Sequence, residues 1–155
     1  MKKHLINKLN YLIIIIIFIS LDQFSKIYID LNLDKLLKKD LFIFTIELVR
    51  NYGAAFSIFS GNRLFLSFIS VVSTIILSYF IFIRENKVIN KFGLSFILAG
   101  SIGNGIDRIL NGYVIDFIKI KFIDFPIFNI ADIVINVGVF ILIISYFRYK
   151  NKFDE

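Results

Sequence analysis

In 155 residues the sequence has no cysteine, no tryptophan, one histidine and one proline, and only 19% of it is charged. Each shortage excludes something. Without cysteine there is no disulfide, no thiolate nucleophile and no Cys-based metal site. The lone histidine, His4, sits in a charged N-terminal tail. No histidine base or zinc site is therefore available, and any hydrolytic chemistry rests on carboxylates, hydroxyls or lysines. With so little charge beside 57% apolar residues, the chain carries more hydrophobic surface than a soluble core of this length buries. Its solvent is lipid, at least in part.

The apolar residues fall in four stretches, near 9–29, 64–83, 92–110 and 130–147. Each has about the 20 residues a helix needs to cross the hydrocarbon core. The net charge of +6 raises the question of nucleic acid, but its distribution points to a bilayer and to no nucleic-acid partner. Lys2, Lys3, Lys8, Arg84, Lys87, Lys91, Arg148, Lys150 and Lys152 lie in the two tails and the short 84–91 connection. The much longer 30–63 and 111–129 connections together hold only seven basic residues. This bias places both termini in the cytoplasm and the long loops outside. The basic start and Ile13 to Ile17 imitate a cleaved leader, but the apolar run continues to Ile29 with no small-residue cleavage site behind it. It reads as an uncleaved first span.

The expected fold is an all-α integral membrane protein, a single domain over 1–155 with four transmembrane helices. A small β-sheet and a short interfacial helix sit on its outer side. Leu33, Leu36 and Leu37 offer one apolar face for that short helix, lying flat on the membrane. A strand is expected over Leu41 to Arg50, and a second where Lys119 and Lys121 alternate with Ile118, Ile120 and Phe122. Pro126 is suited to ending that second strand before the fourth span.

A charge at the centre of a span costs about 2.5–3.5 kcal/mol on insertion scales, so each polar residue there needs a reason. Running the helices through the bilayer puts Asp22 and Lys26, Asn104, Asp107 and Arg108, and Asn129, Asp132 and Asn136 all near the outer end, with Asp116 just beyond the third span. One shared depth implies one site. Asn129, Asp132 and Asn136 share a helix face that should look into the bundle. Gly100, Ser101, Gly103 and Gly105 make the third span narrow, so another helix packs closely. Asp22 with Lys26, and Asp107 with Arg108, read as interfacial ion pairs. Asp132 has no sequence-local cation at helical spacing, and Asp116 has only Lys119, in the expected strand.

These residues sit in five short pieces: Asp22-Gln-Phe-Ser-Lys26, Arg50-Asn-Tyr-Gly-Ala-Ala-Phe56, Gly103-Asn-Gly-Ile-Asp-Arg108, Val114-Ile-Asp-Phe117 and Phe128-Asn-Ile-Ala-Asp132. In that order and spacing the chain resembles the bacterial signal peptidase II family of membrane aspartyl peptidases, from its first span to its fourth. The resemblance implies that Asp116 and Asp132 are the catalytic pair. It makes Asp22, Lys26, Asn51, Gly53, Asn104, Arg108, Asn129 and Asn136 their supporting and substrate-binding residues. It further implies a site at the outer face of the bacterial cytoplasmic membrane, with membrane lipid around it. The substrates would be prolipoprotein signal peptides carrying a diacylglyceryl cysteine, cut just before that residue, with no metal or cofactor. Phe125 stands where the family often has tryptophan. Two other classes stay open on the residues alone: a proton-conducting relay, which predicts polar groups at several depths, and a non-catalytic assembly factor, which would survive loss of both aspartates.

Overall fold

The computed structural model describes residues 2–36, 40–54, 58–84 and 86–150. Four long helices dominate it: α1 (Lys2–Leu31), α3 (Arg63–Ser78), α4 (Val88–Leu110) and α5 (Ile130–Lys150). The isoleucine run in α1 is a modest helix former in water. In lipid the backbone has no other way to satisfy its N–H and C=O groups.

By length and apolarity, Lys8–Leu31, Arg63–Ile83 and Ile130–Tyr149 each suffice to cross a membrane. The second of these includes a π-helical stretch, Tyr79–Ile83, that continues α3. The Asn86 amide donates to the Phe80 carbonyl there at 2.9 Å. The expected third span, α4, has 23 residues but is more polar than the others, because it carries Lys91, Asn104, Asp107 and Arg108.

Helix α4 is the hub and packs against α5, α3 and α1. Small residues allow the approach. A Cβ on Gly100 would collide with the Ala131 carbonyl, and one on Gly138 would lie 2.5 Å from the Gly93 carbonyl. The inner part of the bundle is a dry cluster of Tyr11, Ile15, Ile81, Leu98, Ala99 and Val134. The C-terminus of α4 closes with Gly112 at φ +85°, whose N–H reaches the Asp107 carbonyl at 3.2 Å. The Arg63 guanidinium, from the start of α3, donates to the carbonyls of Arg108 at 3.1 Å and Ile109 at 2.5 Å. A cation on the last carbonyls is the favoured electrostatic arrangement at a helix C-terminus.

On one end of the bundle lies an antiparallel sheet in the order β1-β2-β3, formed by β1 (Asp40–Leu41), β2 (Phe44–Asn51) and β3 (Val114–Ile120). Ile46 pairs with Ile118, but beyond a bulge Val49 pairs with Asp116 and Asn51 with Val114. The extra residue re-phases the alternation, so that Asn51 shares the face of Asp116.

Four expectations change here. The first strand, expected unbroken over Leu41 to Arg50, turns at Phe42 and Ile43, so that Leu41 pairs back onto Phe44. The second strand lies earlier than the Ile118–Phe122 alternation suggested, and Val114 to Phe117 are all buried. Ile115 and Phe117 pack on Ile29 and Leu36, while Asp116 faces the other way. Phe122 lies past the strand and is exposed. Pro126 belongs to the returning segment and does not end the strand at Ile120; Phe128 pairs back onto Ile118. The short helix is a single turn, α2 (Leu33–Leu36), and Leu36 turns inward into that cluster instead of facing lipid. Leu37 lies outside the described residues.

Candidate active site

Asp132 occupies the first turn of α5. Asn129, just ahead of the helix, accepts from the Asp132 N–H at 3.0 Å through its Oδ1, and Asp132 Oδ2 accepts from the Asn129 N–H at 3.2 Å. This reciprocal pair is a capping box with aspartate in the third position. It fixes one carboxylate oxygen and leaves Oδ1 to accept from Asn104 Nδ2 at 2.9 Å.

Asp116 reaches the same place from β3. Its Oδ1 accepts from Asn129 Nδ2 at 2.7 Å and its Oδ2 from Asn51 Nδ2 at 2.9 Å. Asn51 is itself aimed by its Oδ1, which accepts the Gly53 N–H at 2.9 Å. Asn129 therefore touches both carboxylates, one through its side-chain amide and the other through its cap. Burial pushes the Asp116 carboxyl up to about 6, and the charge of Asp132 adds to this; the bonds from Asn51 and Asn129 and the positive charge of Lys26 oppose it.

Both aspartates line a cavity of about 420 Å³, together with Asn51, Ala54, Asn104, Arg108, Asn136 and an apolar wall that includes Val114, Phe125, Phe128 and Ile133. Arg108 donates through Nη2 to the Gly53 carbonyl at 3.1 Å. Its Nε is buried and has no hydrogen-bond partner among the described residues. Both backbone groups of Gly53 are thus engaged inside the protein. Asn136 lines the cavity but is exposed and makes no bond to the network among the described residues, so the face of α5 expected to look into the bundle opens outward at its third polar residue. Ala55 and Phe56 lie outside the described residues.

Beneath the carboxylates sits a buried ion cluster. Lys26, 1% exposed, places Nζ 2.8 Å from Asp22 Oδ2, 2.9 Å from Asp107 Oδ2 and 3.0 Å from Asn104 Oδ1. All three ammonium donors are satisfied. The Asp22–Lys26 pair is as expected from the sequence, but buried. Asp107 pairs with Lys26, where its neighbour Arg108 had looked like the partner, because adjacent helix residues point in different directions. Sequence reasoning passed over Gln23, a neutral residue in an apolar span. Its Nε2 donates to Asp22 Oδ2, Asp107 Oδ1 and the Gly103 carbonyl at 3.2, 3.2 and 3.1 Å. The charge pattern could have found Asp107, since Lys26 faces more than one acid at its depth. For Gln23 there was no such signal.

Two carboxylates held by neutral amides at the mouth of one cavity are suited to sharing a proton and polarising a water molecule. The family model for signal peptidase (SPase) II matches residues 14–148. The chain belongs to the signal peptidase II family. It is therefore an aspartic-type peptidase and a multi-pass protein of the cytoplasmic membrane. A lipoprotein signal peptidase of Clostridium tetani is 41% identical over 152 residues, covering 93% of this chain and 96% of that one. The lipoprotein signal peptidase of Lactococcus lactis subsp. cremoris is 35% identical and covers 92% of this chain and 97% of its own length. A solved structure described as a bacterial membrane enzyme obtained by the in meso method at 2.3 Å is 34% identical. It superposes with a TM-score of 0.83 over 92% of this chain and 90% of its own. The signal peptidase II fold thus extends over nearly the whole chain.

Proposed function

We propose that this signal peptidase II removes signal peptides from prolipoproteins, cutting just before a diacylglyceryl cysteine, with Asp116 and Asp132 activating water between them. The observation that carries this reading is the joint hold of Asn129 on both carboxylates at one cavity lined by polar and apolar groups. The two aspartates share one proton, since both do not easily ionise side by side. Burial keeps that proton on Asp116, whose carboxyl is raised. Half-buried Asp132 takes a proton from water as it attacks the scissile carbonyl. Asp116 donates to the developing oxyanion, and the proton gained by Asp132 passes to the departing amine. Arg108 supplies positive charge at the cavity wall.

The apolar wall of the cavity suits acyl chains and the end of a signal helix. All four long helices span the bilayer, α4 shielded among the other three. Both termini face the cytoplasm and the sheet lies outside, as the basic residues of the tails and the 84–91 connection favour.

The test is processing of a diacylglyceryl-modified prolipoprotein by purified enzyme in detergent, followed as a gel shift. Asp116→Asn and Asp132→Asn should each insert into membranes and each fail to cleave. Substantial turnover by either variant would remove the dyad.

A further inference from the structure

The two carboxylates beneath the site do more than neutralise Lys26. Asp22 Oδ1 accepts the backbone N–H of Ala131 at 2.9 Å, the residue immediately before Asp132. Asp107 Oδ2 accepts the backbone N–H of Ile115 at 3.3 Å, the residue immediately before Asp116. The same two carboxylates are bridged twice, once by Lys26 Nζ at 2.8 and 2.9 Å and once by Gln23 Nε2 at 3.2 Å to each. Gly103 leaves room for this, because a Cβ there would stand 2.6 Å from Asp22 Oδ2. All the members come from α1 and α4, while the aspartates they anchor come from β3 and α5.

We infer that Asp107 and Gln23, with Asp22 and Lys26, form a truss that sets the separation of Asp116 and Asp132 by holding the backbone one residue upstream of each. These are positioning residues, and the inference rests on the dyad reading above. The strand and the helix start are otherwise joined here by Asn129 and by the Ile118–Phe128 bridge, which lies two residues beyond Asp116, and a separation error of 1 Å is enough to cost about 10²-fold in rate.

The test compares Asp107→Asn and Gln23→Met with wild type, in detergent, on the lipidated substrate over a range of pH. The charged groups facing Asp116 are Asp132 from α5, Arg108 from α4 and Lys26 from α1. If the truss slackens, Asp132 moves away and raises the Asp116 carboxyl less. The alkaline limb of kcat/KM then shifts to lower pH, while kcat drops about 30-fold for Asp107→Asn with KM unchanged, within the range for a displacement under 1 Å. Asp107→Asn also removes a charge and could fail to fold. Gln23→Met, which cuts one bridge with no change of charge, therefore decides; it should show the same shift and a smaller loss of kcat. Wild-type kcat and limb in Gln23→Met, or a loss confined to KM or thermal stability, overturns the truss. Asp116→Asn and Asp132→Asn run alongside: if they are inactive while Gln23→Met is normal, only the truss has failed, and if either is active, the dyad has failed.

Discussion

The two ends of the α4–α5 seam are built on opposite principles. At the end away from the sheet, Leu98, Ala99, Val134 and Ile81 fill space against Tyr11 and Ile15, and glycines set the distance between helices. Any side chain of the right shape would serve. At the end beside the sheet, Asn104, Asn129, Asp132 and Asp107 spend almost every donor and acceptor on a named partner. There the chemistry of each atom matters, since in low dielectric an unpaired group costs far more than a small void. Stability and activity should therefore separate along one pair of helices.

The largest effect that would break this contrast is at the dyad. Asp116→Asn or Asp132→Asn should lower kcat by about 10⁴-fold, the scale of a lost general acid or base, with little change in the thermal midpoint by circular dichroism. At the apolar end the reverse holds: Leu98→Ala should cost about 2–5 kcal/mol of stability and leave kcat unchanged in detergent at low temperature. A fall in kcat as large as that in stability would mean the two ends are coupled. A subtler change concerns protons. The Asp116 carboxyl is raised to about 6, so on the proposed dyad the shared proton is lost as pH rises through that value, and kcat/KM of the free enzyme should fall on the alkaline side. The Asn51 bond favours the charged form. Asn51→Ala should therefore move that limb to higher pH, and a limb that stays put would remove Asn51 as a partner of the ionised group. Smallest of all is an exposed ion pair, Lys119 with Glu47 at 2.7 Å, both nearly half exposed. Lys119→Ala should change stability by less than about 1 kcal/mol, in contrast to buried Lys26.

The long helices could be read from the sequence because lipid demands a plain signal, about 20 apolar residues in a row. The gathering of polar residues at one depth was legible for the same reason. What was not legible depends on register and direction. The bulge between Ile46 and Val49 leaves no compositional trace, yet it brings Asn51 onto the face of Asp116. Asp107 was assigned to the nearest cation in the chain, while its partner lies on another helix. Leu36 was read as membrane-facing because its spacing is amphipathic, and spacing does not say which side a four-residue turn presents. Asn136 has the right helical phase, yet it sits where the cavity opens.

The internally engaged amides around the two aspartates carry a consequence for inhibitor design. Asn51, Asn104 and Asn129 have their amides bonded within the protein, so an inhibitor competing for them must break one bond for each it makes. A compound that leaves them alone and packs on the apolar wall of Val114, Phe125, Phe128 and Ile133 breaks none. On the proposed dyad, a hydroxyl set between Asp116 and Asp132 in the same scaffold would take the place of the attacking water, and the two features together define the smallest useful pharmacophore for this cavity.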